Sequence, residues 1–342
     1  MQMSSPKLLD KNHSYFTKVL KGNMGILVVL ILLSIFMAIL SPNFLSYGNI
    51  ISVLRQVSNN MYLALGMTLV IILGGIDLSI GAIVAMTGTI IVGLIVNSGL
   101  SMIAAIVIGI ILGLLVGLLN GFLVATFHVP SFIVTLATMN IAKGIAYVYS
   151  GGRSTRITDP FFNNIGGGYL GPVPLPVVYM IILIFFFSIL LSKTKFGTYI
   201  YAIGGNRESA RLSGVPIMKV EILVFAISGL LAAFSGLILC SRMFSGQPSV
   251  GEGYEMDAIA ACVLGGVSMS GGQGRISGTV IGALVIGIIS NGLNLMGVSS
   301  FWQLVVKGII ILVAVLIDSQ KGNDSLFKKM IGNIGGKKHE KI

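Results

Sequence analysis

The chain has 342 residues, of which 55% are hydrophobic and 10% charged, with a mean hydropathy of +0.96. An ordinary soluble domain carries about 25% charged residues, so this composition excludes one and points to a polytopic membrane protein. The net charge of +11 is not gathered on one amphipathic face or interleaved with aromatics, so it argues against nucleic acid and instead marks the helix ends that face the cytoplasm.

Residues 1–23 are polar and basic (Lys7, Lys11, Lys18, Lys21), and Met24 to Leu40 is a long apolar run. It lacks an A-x-A site before Ser41-Pro42 and many spans follow, so it is expected to be an uncleaved first helix with its N-terminus inside. Further spans are expected at about 57–75, 79–97, 101–126, 131–149, 177–192, 220–240, 257–269, 278–296 and 302–318. The expected fold is all-α, with about ten transmembrane helices, some broken or re-entrant, and both termini cytoplasmic. This gives a tail over 1–23, one transmembrane domain over 24–318 with a cytoplasmic loop at 193–219, and a tail over 319–342. Under this topology sixteen Lys and Arg lie inside, against Arg55, Arg153, Arg156 and Arg242 outside. The outer segments Gly151–Pro176 and Ser241–Met256 are expected to be ordered turns.

Gly109, Gly113, Gly117 and Gly121 form a row down the fourth span, and Gly274, Gly278 and Gly282 repeat it in the ninth. Such rows mark close helix–helix contact, within one subunit or across a subunit boundary. Leu73–Gly81 can be laid over Leu264–Gly272, an offset of 191 residues. Paired Gly-interrupted segments point to a translocation site, because broken helices open backbone groups to polar cargo.

The polar island Ser192–Glu221 carries Lys193, Lys195, Arg207, Arg211 and Lys219. Asn206 can cap a helix through Arg207, Glu208, Ser209, Ala210, Arg211 and Leu212, with Ser213 following, Gly214 ending it and Pro216 preventing its restart. A helix this short is not stable alone, so it is expected to rest against the membrane body on one side and a soluble partner on the other.

Polar residues at membrane depth are functional candidates: Asp77 at the first break, Asn120, Thr135, Thr138, Asn140, Lys143, Asn291 and Asn294. Glu255 and Asp257 are placed at the outer mouth of the eighth span. Each has a plainer role open to it: helix capping for Asp77 and Asp257, snorkelling for Lys143 and Lys307, interhelical hydrogen bonding for the asparagines. No carboxylate is expected in the middle of a long span. Cys240 and Cys262 are expected to be packing residues, without metal-type spacing.

Five stretches, GGIDLSIG (74–81), PSFIVTLATM (130–139), TKFGTYIYAIGGNRESARLSGV (194–215), YEMDAIAACVLGGVSMSGGQGRISGT (254–279) and FWQLVVKGIIILVAVLID (301–318), resemble the permease subunits of bacterial monosaccharide ABC importers, the ribose-type group. The resemblance implies a subunit of the bacterial cytoplasmic membrane that pairs with a second permease copy. It also implies a double-cassette cytoplasmic ATPase and an extracytoplasmic sugar-binding protein, with Gly205–Gly214 as the coupling helix. Asp77, Asn120, Thr135, Asn140, Asn291 and Asn294 are then candidates for the pathway, and Arg153, Arg156, Glu255 and Asp257 for the binding-protein contact. GGIDLS looks more like ribose permeases than methyl-galactoside ones, whereas YEMDAIAAC and LIDS occur in both.

The chain has no G-x-x-x-x-G-K-[ST], so ATP is expected to act through a partner. An ion-coupled carrier would need a carboxylate deep in the bundle. An enzyme would need a nucleophile–base pair or metal ligands, and His13, His128 and His339 lie in a tail, a turn and a tail. No catalytic residue, cofactor or metal is expected.

Overall fold

The computed structural model describes residues 24–322. The basic tails expected at the two ends lie outside the described residues, apart from 319–322, which end the last helix. Apolar runs punctuated by Gly, Pro and Ser form α1 (Met24–Leu40), α2 (Tyr47–Leu73), α3 (Ile80–Val96), α4 (Met102–Phe127) and α5 (Ser131–Ser150). After these come α6 (Pro160–Gly167), α7 (Leu175–Lys193), α8 (Lys195–Gly205), α9 (Arg207–Leu212) and α10 (Ile217–Met243). The last three are α11 (Tyr254–Leu264), α12 (Ile276–Leu295) and α13 (Ser300–Gly322).

Each of the ten expected spans falls on a helix. Among the described residues six (α2, α4, α5, α7, α10, α12) are long and apolar enough to cross a membrane. The chain is an all-α multi-pass membrane protein. The span expected over 257–269 is corrected most: α11 has 11 residues and rises only about 16 Å, about half a hydrocarbon core. It stops because Gly265 and Gly266 follow Leu264, with Gly266 at φ +80°.

Helix α2 is the axis of the bundle, since every residue from Val57 to Leu73 is buried. The glycine row of α4 packs within this one chain. Cβ atoms at Gly113, Gly117 and Gly121 would strike the α10 backbone at Gly229, Phe225 and Ile222, whereas one at Gly109 would strike Ile91 of α3. In α12, Gly278 and Gly282 face the carbonyls of Gly265 and Ala261, while Gly274 stands before the helix. Cys240 and Cys262 are buried free thiols.

The two long connecting segments are tied to each other. Strand β1 (Thr155–Arg156) pairs antiparallel with β4 (Ser245–Gly246), and β2 (Tyr169–Leu170) with β3 (Val173–Pro174). Between them α6, unforeseen from sequence, starts because the Asp159 carboxylate accepts from Phe161 N and Phe162 N and Pro160 opens the first turn.

Candidate functional site

At Leu73 the axis helix stops. Gly74 takes φ +95° and Gly75 N donates back to Val70 O, which closes α2 in the left-handed manner. The next residues run unhelically inside protein, and neighbouring side chains satisfy their backbone. Ile76 N donates to Ser131 Oγ at 2.9 Å and Leu78 N to Thr135 Oγ1 at 3.1 Å, while Thr135 Oγ1 donates to Ile76 O. The first turn of α5 therefore substitutes for the missing helical partners.

Asp77 is fully buried. Its Oδ1 accepts from Ser79 N at 3.0 Å and Ser79 Oγ at 2.6 Å, and its Oδ2 accepts from Ser228 Oγ at 2.7 Å. Ser79 Oγ in turn accepts from Asn120 Nδ2 at 3.0 Å. The structure thus gathers Asp77, Asn120 and Thr135 around one break. It also corrects the capping alternative, because Asp77 ties the loop to α10 and α4 and the residue preceding α3 is Ser79. Ser228 stands eleven residues into α10, about 16 Å from its start, so the Asp77 carboxylate lies at depth, in the break and not within a long helix.

The other broken segment meets this one twice. Gly272 N donates to Ile72 O at 2.8 Å, which brings the two matching Gly-rich stretches side by side. Gly81, at the start of α3, and Gly251, just before α11, each occupy the space where the other's Cβ would stand, and the Glu255 carboxylate lies against them. Two shortened helices begin against each other inside the bundle.

Glu255 and Asp257, the outer-mouth candidates, lie at this meeting of the two segments. Asp257 is buried and accepts from Lys307 Nζ at 2.8 Å, and it lies within the first turn of α11 rather than capping it. Lys307 turns inward to it instead of snorkelling. Sequence spacing missed this pair because the partners are fifty residues apart on separate helices. Arg153 and Arg156 are exposed near the β1–β4 pair. The remaining candidates disperse. Asn291 and Asn49 exchange amide hydrogen bonds at 2.7 and 3.0 Å, Asn294 Oδ1 accepts from Gln303 Nε2, and Asn140 is exposed, bonding only to Leu136 O in its own helix.

At the end of the bundle carrying α8 and α9, Thr194 and Asn206 cap the two helices: Gly197 N donates to Thr194 Oγ1 and Ser209 N to Asn206 Oδ1 at 2.8 Å. Gly214 takes φ +78°. The six-residue helix drawn from sequence is present at its expected bounds, and α8 before it was not foreseen. Helix α8 rests on both breaks: Gly204 sits against the Ile72 carbonyl and Gly272, and Tyr201 Oη donates to Gly274 O at 2.7 Å. Arg207 forms an ion pair with the buried Glu221 of α10. Glu208 and Arg211 pair on the open face, where their side chains are 64% and 66% exposed, beside Leu212 at 78%. A cavity of about 300 Å³ opens here, between Gly74, His128, Ser131, Arg207, Glu221 and Phe225.

This arrangement offers an interior line of hydrogen-bonding groups, with the Asp77 carboxylate at its centre, and opened backbone, linked to a short exposed helix at one end. Residues 49–315 match the family described as branched-chain amino acid transport system / permease component. The chain is 48% identical over 314 residues to the ribose import permease protein RbsC of Bacillus subtilis (strain 168), covering 91% of this chain and 97% of that one. It is 44% identical to the Escherichia coli (strain K12) protein of the same name, covering 90% and 97%, and 42% identical to the L-arabinose transport system permease protein AraH of that strain, covering 87% and 90%. No solved structure matches. By its residues 49–315 and these relatives, the chain belongs to the branched-chain amino acid transport system / permease component family, whose members are transport permeases.

Proposed function

We propose that the chain is the membrane-spanning subunit of an ATP-driven importer of a monosaccharide, ribose by preference, in a bacterial cytoplasmic membrane. The names of its relatives support the cargo: two of the three relatives given above are ribose import permeases, at 48% and 44% identity. In this reading there are ten crossings with both ends inside. A double-cassette ATPase grips Asn206–Gly214, an extracytoplasmic binding protein delivers sugar near Arg153 and Arg156, and a second permease copy completes the path. The break around Asp77, Asn120 and Thr135 belongs to that path.

One observation carries the proposal: α9 is anchored to the bundle through Arg207 and Glu221, yet presents the Glu208–Arg211 pair and the apolar Leu212 outward, away from the other described residues. An exposed leucine flanked by charges on a helix too short to stand alone fits a groove in another protein. Reconstitution with the ATPase and binding protein, followed by uptake of labelled sugars, tests it. ATP-dependent accumulation of ribose is expected, and accumulation by the purified chain alone on an ion gradient would overturn it. The depth of Asp77 favours a second reading, an ion-coupled carrier, and the same experiment with the proton gradient collapsed separates the two.

A further inference from the structure

The cavity of about 300 Å³ beside α9 is bordered by the break and by the Arg207–Glu221 tie but is filled by neither. Three parts of the fold meet around it: the end of α2 at Gly74 and Gly75, the turn from α4 to α5 with His128 and Ser131, and the junction of α9 with α10 at Arg207 and Glu221. Its volume stands at the lower end of the range for ligand pockets, which leaves room for one small ring.

The walls select among small molecules. Arg207 and Glu221 cancel each other's charge, so the cavity calls for neither an anion nor a cation. Ser131 Oγ accepts from Ile76 N and donates to no other described residue, so its proton is unspent. The Arg207 side chain is 45% exposed, and its guanidinium has N–H groups beyond the two given to Glu221. A Cβ on Gly75 would stand 3.2 Å from Ser131 Oγ and 3.3 Å from Phe225 Cζ, so a hydroxyl and an aromatic edge meet where glycine leaves space. His128 adds an imidazole in a backbone conformation, φ +56°, that closes α4. Glycine would make that turn without strain, so what His128 brings to the position is its side chain. Groups that bond hydroxyls around an apolar floor, with no net charge, fit a neutral sugar ring.

We propose that this cavity binds one molecule of neutral monosaccharide from the cytosolic side, and that the bound sugar slows further import. That the ligand is the cargo rests on the importer reading above, under which the cavity opens on the cytosol beside the helix gripped by the ATPase. A sugar bonded both to the α4–α5 turn and to the α9–α10 junction ties together parts that must shift when α9 is moved. Accumulated cargo then restrains the lever that admits more.

Equilibrium binding of labelled ribose to the purified full chain in lipid nanodiscs, without ATPase or binding protein, tests the site. Saturable binding of one ribose per chain is expected. His128→Asn, which keeps a residue that tolerates the left-handed backbone, is expected to weaken it about tenfold, the upper range for one lost neutral hydrogen bond. Val129→Trp, at a residue lining the cavity, is expected to fill it and abolish binding. Absent binding, or binding equal in the wild type and both variants, overturns the site. For the restraint, the whole transporter is placed in vesicles with ATP inside, and initial uptake is compared with and without unlabelled ribose trapped beside the ATP. Trapped ribose is expected to lower the rate several-fold in the wild type and not in Val129→Trp, the ratio being read within each protein. An unchanged wild-type rate overturns the restraint, and should Val129→Trp not fold, His128→Asn carries both readouts. Failure of the importer reading would show as no ATP-dependent uptake into empty vesicles, whereas failure of this inference leaves that uptake intact and the purified chain without bound ribose.

Discussion

Arg207, the first residue of α9, holds Glu221 near the start of α10, with Arg207 Nη2 donating to Glu221 Oε2 at 3.2 Å as one arm of a bidentate pair. Two turns further along α10, on the same face, Ser228 donates to Asp77. Between them Phe225 packs within 3.3 Å of where a Cβ on Gly75 would stand. The exposed helix and the interior break therefore share one stripe of α10. Glu221→Gln should leave the helices in place but weaken the junction. The Glu221 side chain is 4% exposed and that of Arg207 45%, so the loss should fall near 1–2 kcal/mol, below that of a fully buried pair. Uptake should drop further than ATP hydrolysis, and reversal of both charges together should recover it. Equal loss of both activities would argue for a structural role alone.

On the outer face of α9 the pair Glu208–Arg211 stabilises little by itself. Glu208→Arg or Arg211→Glu should leave the subunit in the membrane at normal abundance while uncoupling ATP hydrolysis from uptake, as measured in vesicles holding the whole transporter. The Arg211 guanidinium, by hydrogen bonding and then by its charge, holds the Glu208 carboxyl below the usual carboxylate range. A depressed value means that the charged pair is intact at neutral pH and lost only as pH falls through that lowered value. Coupling through this face should therefore stay flat from neutral to mildly acidic pH, and a loss in that range would point to a different titrating group.

Gly117 of α4 faces the Phe225 carbonyl, with Phe225 C and Ala226 Cα 3.1 and 3.0 Å from an added Cβ. A branched side chain must push α4 away from α10, so Gly117→Val should destabilise by roughly 1–3 kcal/mol, the range for overpacking. Gly308 of α13 has open space around it, and Gly308→Ala should be neutral or stabilising by up to about 1 kcal/mol. Cys240 and Cys262 are buried, so their reactivity on heating in detergent reports unfolding in both variants. Equal midpoints for the two would remove the packing argument.

What the sequence made legible was local. Asn206, Gly214 and Pro216 drew α9 because capping and left-handed termination are written in neighbouring residues. The glycine row of α4 disclosed a close contact because a four-residue period is visible without a partner. The break at Gly74–Ser79 was legible as an interruption, but its closure by Ser131, Thr135, Asn120 and Ser228 was not. Those partners lie 41 to 151 residues away and carry no pattern that pairs them. The surroundings of Glu255 and Asp257 were illegible for a related reason. The segment from Ser245 to Gly253 descends along α3 from the level of Val92 to that of Gly81, and hydropathy cannot distinguish a re-entrant descent from a loop at the surface.

Lys307 is the one cation seen against Asp257 among the described residues, and it ties α13 to the short helix α11. Asp318, farther along α13, accepts from Met269 N at 3.0 Å in the second break, so the last helix clasps α11 and the loop that ends it. Lys307→Met should strand a buried carboxylate and lower the thermal midpoint more than the double variant Asp257→Asn with Lys307→Met, which removes both charges. Additive losses in the double-mutant cycle would mean that the two groups do not interact.

Asp77 offers the sharpest test of the interior site. Its two oxygens accept three hydrogen bonds, from Ser79 N, Ser79 Oγ and Ser228 Oγ. In Asp77→Asn one oxygen becomes an amide that can only donate, so at least one buried donor loses its acceptor, at about 1–3 kcal/mol. Were that the whole effect, Ser228→Ala, which removes one of those donors, should restore stability and uptake together in the double variant. In a path-lining role for the carboxylate, stability returns but uptake does not, because the cargo still meets an altered break. Measuring detergent melting and sugar uptake on the single and double variants separates the two, and full uptake by Asp77→Asn at normal abundance would confine Asp77 to holding the loop.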